Sequence, residues 1–297
     1  MEQGKAKEEI YARVYHHERI FPSPYEHGSV FLELTSGCSY GKCSFCDFRR
    51  DKFEIYGIDD IERQLSLLKR VEDDRSRMHF LGCDPFFLDT GRLLAICELV
   101  RSYLPKIREF NMYARAADIN GKTDEELLLL RQAGITELHV GLETGSDAVL
   151  AFHNKGETAE EIRTALQRLE RADIKYHLTM IPGLGGKKYS KEHAEKTAEM
   201  LSVLQPATVW CFSLLLWEDT PLYEMVRNGE FSPLTPLETL KEERLMLEKT
   251  EMTGECLFID STVLKKYTLR TVLPYGKANI LKAMDELIAA EETAPGK

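Results

Sequence analysis

The chain has 297 residues, 43% hydrophobic and 30% charged, and 39 Lys and Arg against 49 Asp and Glu leave a formal charge of −10. The length suits one α/β barrel or two smaller domains, with enough apolar residues for a large core. Residues 1–10 lack the apolar stretch of a secretion signal, runs such as 210–217 are too short for a membrane helix, and no Lys/Arg block marks a nucleic-acid partner.

The expected setting is therefore the cytoplasm, with no membrane and no nucleic acid among the partners. Residues 1–28 read as an irregular or helical lead-in. The strand-like run 29–35 feeds directly into a cysteine-rich loop. Apolar residues at helical spacing then mark a helix over 58–71, followed by a short strand at 79–81 and an amphipathic helix over 90–104. The alternation continues with a strand at 109–114, a helix at 123–133, a strand at 138–142 and a helix at 158–172. Thr123 with Glu126, and Thr158 with Glu161, have the spacing of capping boxes at the two helix starts. Strands at 176–181 and 208–216 precede helices at 190–204 and 236–251.

About six βα units at intervals of about 30 residues predict a parallel sheet covered by helices. The expected architecture is a partial (β/α)6 TIM-like barrel over 29–250. Residues 251–297 would form a short C-terminal cap and tail, with a strand near 256–259 and a last helix from about Lys277. The barrel reads as one domain because no Pro/Gly/Ser-rich linker interrupts it.

The seven cysteines do not suggest a disulfide framework, being odd in number in a chain without a signal. Cys97, Cys211 and Cys256 read as small buried hydrophobes. Cys38, Cys43 and Cys46 instead fall within nine residues as Cys-x4-Cys-x2-Cys, with Gly41 letting the backbone curl. A structural zinc site wants four closed ligands, and the next His or Cys lies more than thirty residues downstream. Three thiolates suit a [4Fe–4S] cluster with one iron open to a ligand other than protein.

In parallel α/β folds, chemistry collects where strands end. The second strand exits through Gly82-Cys83-Asp84, the third through Tyr113-Ala114-Arg115, the fourth through Gly141-Leu142-Glu143 and the fifth through 179–186. Taken singly, Asp84 is a helix N-cap candidate, Glu143 a solvated turn residue and 183–186 a plain glycine turn. Their placement on one rim with the cysteines is what suggests a site. His139 and His177 read as satisfied core or rim residues, and His16-His17 as solvated.

These motifs together resemble the radical S-adenosylmethionine (SAM) superfamily over about 28–250, in a subgroup with four residues between the first two cysteines. The resemblance implies that Cys38, Cys43 and Cys46 hold three irons of the cluster and that SAM chelates the fourth. It implies that Gly82, Cys83 and Asp84 meet the SAM ammonium, with Cys83 replacing a usual Gly. Arg115 belongs to a matching strand-end motif. Glu143 would take the ribose hydroxyls and Lys155 the SAM carboxylate, where relatives carry Arg. Thr179 faces the ribose in place of an Asp, and Phe45 and Leu184 border the adenine.

The implied enzyme reductively cleaves SAM to methionine and a 5′-deoxyadenosyl radical, which abstracts hydrogen from a small-molecule or peptide substrate. It would draw its electron from a low-potential donor of flavodoxin or ferredoxin type. The alternatives are a coproporphyrinogen-oxidase-like or heme-handling protein, and a zinc or iron–sulfur binding module without catalysis. Trp210, Phe212 and Leu214 alternate and would line the substrate space. Asp260, Ser261, Lys265, Lys266, Tyr267 and Arg270 are candidate substrate contacts in the cap.

Overall fold

The computed structural model describes residues 2–17, 20–23, 26–72, 74–261 and 268–293. In chain order the elements are α1 (Glu2–Val14), β1 (Val30–Glu33), β2 (Thr35–Ser36), β3 (Glu54–Ile55), α2 (Ile58–Leu68), β4 (Arg77–Leu81) and α3 (Thr90–Tyr103). There follow β5 (Glu109–Ala114), α4 (Ala116–Asn120), α5 (Asp124–Gln132), β6 (Ile135–Glu143), α6 (Asp147–Phe152) and α7 (Ala159–Arg171). The chain continues through β7 (Lys175–Met180), α8 (Gly186–Ser202), β8 (Thr208–Cys211), α9 (Pro221–Arg227) and α10 (Pro236–Lys249). It closes with β9 (Cys256–Asp260), β10 (Leu269–Leu273) and α11 (Lys277–Thr293). No helix among the described residues is long and apolar enough to cross a membrane.

Eight strands form one sheet in the order β1-β4-β5-β6-β7-β8-β9-β10. The pairs β1/β4, β4/β5, β7/β8 and β8/β9 are parallel, and β9/β10 is antiparallel. Spatial order follows chain order, as in the wall of a β/α barrel. The chain clusters into two compact units, Met1–Gly41 with Phe48–His139 and Arg171–Lys175, and Lys42–Asp47 with Val140–Glu170 and Tyr176–Lys297. Strand β6 runs through both.

Each strand has two unlike faces, because side chains alternate along it. In the first unit, Leu32, Met78, Phe80, Phe110, Met112 and Leu138 are fully buried apolar residues on one face. Burial of such a side chain contributes about 1.5–3 kcal/mol. The alternate positions carry His79, Asn111, Tyr113 and His139. The second unit repeats the pattern, with Leu178, Met180 and Val209 buried and His177, Thr179 and Trp210 at alternate positions.

The expected capping boxes are present. Glu126 N–H donates to Thr123 Oγ1 at 3.1 Å and Thr123 N–H to the Glu126 carboxylate at 2.7 Å. Thr158 and Glu161 make the same exchange at the start of α7, whose Ile162, Ala165, Leu166 and Leu169 are buried.

Some expectations are corrected. The run 29–35 is two elements, since after Leu34 the backbone leaves the main sheet and Thr35–Ser36 pairs with Glu54–Ile55. The strand expected over 208–216 ends at Cys211, and Leu215, Leu216 and Trp217 are exposed. Helices α4 and α6 occupy segments read as loops, and Ser146 caps α6 by accepting from Val149 N–H at 3.2 Å. Residues 251–297 contribute a parallel strand and an antiparallel strand to the sheet, as well as the last helix. His16 is not a bystander: its Nδ1 lies 2.9 Å from the Glu33 carboxylate, and its ring stacks on Tyr56.

Candidate functional site

The cysteines separate by environment. Cys97, Cys211 and Cys256 are buried, whereas Cys38, Cys43, Cys46 and Cys83 are half-buried, and none of the seven is in a disulfide. Burial pushes Cys97 and Cys256 up to about 12, which keeps them inert thiols.

In the first unit, Gly37 and Gly41 shape the approach to Cys38, both with φ near +60°. A Cβ on Gly37 would meet the Asp51 carbonyl oxygen at 2.5 Å, so a side chain is excluded there. Asp84 is fully buried and reaches back to this loop. Its carboxylate accepts from Ser39 N–H at 3.1 and 3.2 Å and from the Ser39 hydroxyl, and lies 3.7 Å from Cys38 Sγ. Burial pushes the Asp84 carboxyl up, against the bonds from Ser39. Burial and the Asp84 charge likewise push the Cys38 thiol up.

Gly82 has φ +142°, and a Cβ there would overlap Thr35 Oγ1. This lets the turn after β4 lie flat against the start of the cysteine loop. The Arg115 guanidinium stacks over Tyr40 at 4.3 Å from the ring centre, which attaches the loop after β5 to the cysteine loop. Cys83 stands beside Gly82 on the same turn.

In the second unit, the rest of the loop is held by His153. Ser44, between Cys43 and Cys46, donates N–H to the His153 carbonyl at 2.9 Å, and its hydroxyl lies 2.7 Å from His153 Nδ1. His153 Nε2 lies 2.8 Å from the Leu184 carbonyl. A carbonyl only accepts, so Nε2 carries the proton and Nδ1 accepts from Ser44. Burial pushes His153 down to about 4, so the ring is neutral. The Phe45 ring meets His153 edge-on at 5.7 Å.

This placement follows from how α6 ends. Asn154 takes φ +50°, a left-handed cap, and Lys155 N–H returns to the Leu150 carbonyl at 2.9 Å. The Asn154 side chain also donates to the Lys42 carbonyl at 3.3 Å. The same turn directs Lys155 inward. Its Nζ lies 3.9 Å from Glu143 Oε1 and 3.8 Å from Glu157 Oε2, with all three residues buried.

Glu143 ends β6 with φ +61°, a conformation that costs a non-glycine residue about 1–3 kcal/mol. Thr179 Oγ1 lies 3.4 Å from its Oε1. Burial pushes the Glu143 carboxyl up, while Lys155 and Thr179 act in the opposite sense. Gly141 makes room for the pair, because a Cβ there would overlap Glu143 Oε1 and approach Lys155 Nζ to 3.2 Å.

The structure thus joins Cys38, Gly82, Asp84 and Arg115 in one unit, and Glu143, Lys155 and Thr179 in the other, where Phe45 and Leu184 meet through His153. Asp84 is turned onto Ser39 in the loop. The glycine turn before α8 is the plain turn expected there, with Gly183 N–H donating to the Glu242 carboxylate at 2.6 Å. Asp260 is fully buried, which removes it as an exposed substrate contact. Trp210 and Phe212 stack at 5.5 Å, and Trp210 donates to Ser261 at 3.1 Å. Lys265, Lys266 and Tyr267 lie outside the described residues. Ser39, Ser44 and His153 were missed as site residues; the sequence places Ser39 and Ser44 inside the cysteine loop, but only the fold brings His153 to it.

The chain is 27% identical over 201 residues to the anaerobic magnesium-protoporphyrin IX monomethyl ester cyclase of Cereibacter sphaeroides, covering 66% of this chain and 31% of that protein. It is 21% identical to the heme chaperone HemW of Bacillus subtilis, covering 71% and 57%. It therefore spans between about a third and somewhat over half of these curated relatives. Among solved structures, coproporphyrinogen III oxidase (HemN) from Escherichia coli superposes with a TM-score of 0.58 at 17% identity, over 74% of this chain and 52% of that one. Methylornithine synthase (PylB) superposes with a TM-score of 0.53 at 17% identity, over 99% and 90%. These likenesses support the partial TIM-barrel fold. The family model described as the radical SAM superfamily matches residues 32–201, more than half of the chain. The chain belongs to the radical SAM superfamily, whose enzymes use a [4Fe–4S] cluster and SAM.

Proposed function

We propose that the chain holds a [4Fe–4S] cluster on Cys38, Cys43 and Cys46, binds SAM beside it, and directs hydrogen abstraction at a small polar metabolite or a peptide side chain. The donor set fits the cluster: three half-buried thiols outside any disulfide, soft ligands within nine residues, with no fourth cysteine in the loop. Cys38, Cys43 and Cys46 would hold the cluster, which would supply the electron for reductive cleavage of SAM and so the family's radical chemistry. The observation that carries this reading is the double clamp on the loop, Ser39 on Asp84 and Ser44 on His153.

The chain's own residues bind and orient. Gly82 keeps the turn after β4 open to an ammonium, and Arg115 braces the loop through Tyr40. Glu143 offers a buried carboxylate to ribose hydroxyls, and Lys155 a buried ammonium to a carboxylate. Thr179 stands beside Glu143, and Phe45 and Leu184 supply apolar surface for adenine.

His177 and Thr179, half-buried at alternate positions of β7, offer hydrogen-bonding groups and favour a polar substrate. A second reading, a tetrapyrrole substrate, is favoured by the likeness to the cyclase, HemW and HemN. The matches also include a tRNA uridine(34) acetyltransferase of Methanocaldococcus jannaschii, 28% identical over 40% of this chain. The charge of −10 and the absence of a basic block support a non-nucleic-acid substrate. A cytoplasmic setting with a flavodoxin- or ferredoxin-type donor completes the reading.

Reductive SAM cleavage, followed with fractions of a cell extract, tests the substrate class. The low-molecular-mass fraction should accelerate formation of 5′-deoxyadenosine. Acceleration by the RNA fraction alone would overturn the reading, and acceleration by porphyrins alone would select the tetrapyrrole alternative.

A further inference from the structure

The first unit contains a second cluster of ligand-bearing side chains, formed by three segments far apart in the chain. Glu26 lies in the turn before β1, His79 in the middle of β4 and His139 in the middle of β6. All three are buried, and one ligand atom from each lies within 4.8 Å of the others. We propose that Glu26, His79 and His139 bind one divalent ion of the zinc or iron(II) class, through ligands that the cysteine loop does not share.

Two imidazoles and a carboxylate are a donor set for such borderline ions. The orientation of His79 points the same way. Its Nδ1 bonds to the Asn111 side-chain oxygen, which must accept because the Asn111 amide donates to Glu26 at 3.0 Å. Nδ1 therefore carries the proton and Nε2 presents a lone pair. That nitrogen is buried and has no hydrogen-bond partner among the described residues. A ring fixed through one nitrogen with the other left bare has the arrangement of a metal-binding histidine.

His139 Nε2 lies 3.2 Å from Glu26 Oε1. Two ligands on one tetrahedral ion, with bonds of about 2.0–2.1 Å, are about 3.3 Å apart. Without the ion, a proton on His139 Nε2 joins the two groups. The ion takes the place of that proton, and the neutral imidazole then carries its N–H on Nδ1, so the ring ligates uncharged.

Charge is consistent with a cation. Arg77 donates to Glu26 at 2.9 and 3.0 Å, and it also pairs with Glu137 at 2.6 Å and Glu109 at 3.4 Å. Three carboxylates against one guanidinium leave a surplus of two negative charges, which a divalent ion cancels. The Tyr113 ring, 5.6 Å from His79 and 5.5 Å from His139, walls the position with aromatic surface.

The test uses cluster-loaded protein, so that iron already occupies the cysteines. After chelator treatment, zinc addition and gel filtration, the wild type should retain about one zinc per chain, and His79→Gln and His139→Gln should retain about tenfold less with iron content unchanged. Zinc K-edge absorption of the wild-type protein needs no variant and should report nitrogen and oxygen ligands with imidazole scattering. Wild-type protein that retains no zinc would overturn the proposal. So would sulfur ligation, or undiminished zinc in both variants.

Discussion

The two clamps on the cysteine loop work by different physics. Asp84 holds the Cys38 end with a buried carboxylate 3.7 Å from the sulfur, so it brings charge as well as hydrogen bonds. His153 holds the Cys43–Cys46 end as a neutral ring, donating to Leu184 and accepting from Ser44. The first clamp is therefore placed to influence the electronics of its ligand, and the second its position. Substitutions at the two sites should separate those effects.

The largest effect is expected at the ligands. Cys38→Ala, Cys43→Ala and Cys46→Ala should each abolish the brown colour and SAM cleavage, while Cys97→Ala and Cys256→Ala keep both. Iron analysis and chromatography of 5′-deoxyadenosine check this.

Next come the clamps. His153→Ala should lower iron content and SAM turnover by about 10–100-fold, the usual cost of losing a group that orients a ligand. His153→Gln, which retains a donor and an acceptor, should recover part of the loss. Asp84→Asn keeps the shape and removes the charge, so it should load iron nearly as wild type but shift the cluster's midpoint potential upward. Equal potentials in Asp84→Asn and wild type would erase the distinction between the clamps.

A smaller effect is expected at Glu143. Removing its charge in Glu143→Gln should raise the KM for SAM by about tenfold, in line with the loss of a hydrogen bond to a charged group worth about 1.5–3 kcal/mol. Gly141→Ala should act in the same direction by displacing that carboxylate. Titration of SAM against initial rate measures both.

The smallest effect is on stability and concerns the support behind Leu184. Burial pushes Glu242 up to about 7 from 4.5, so its protonated form is favoured in the fold. That contribution is full below pH 4.5 and is lost as pH rises through 7. Burial pushes the neighbouring His193, 3.6 Å from Glu242, down to about 4 from 6.5. Its contribution is full above pH 6.5 and is lost as pH falls through 4. The Tm advantage of Glu242→Gln over wild type should therefore grow between pH 5 and 7.5, as followed by thermal denaturation.

Much of the fold was legible because βα periodicity and capping boxes are local signals. The strand at Glu109–Ala114 and the helix starts at Thr123 and Thr158 need only neighbouring residues to be read. The cysteine triplet was legible for the same reason. The clamps were not, because Ser44 and His153 are 109 residues apart and only the fold brings them together. Asp84 was named, but which way its buried carboxylate turns depends on Ser39, 45 residues away. The plain glycine turn at 183–186 was legible, but the partner of Gly183 was not, since Glu242 lies 59 residues on. The strand expected to run to residue 216 ended early because apolar composition does not reveal where a pairing partner stops.

The most direct test of the central claim is anaerobic reconstitution with iron and sulfide, followed by reduction in the presence of SAM. The wild-type chain should hold about four irons and four sulfides and release 5′-deoxyadenosine and methionine, and the Cys38/Cys43/Cys46→Ala variant should do neither. A wild-type chain that takes no cluster and leaves SAM intact would contradict the account, as would a triple variant that still cleaves it.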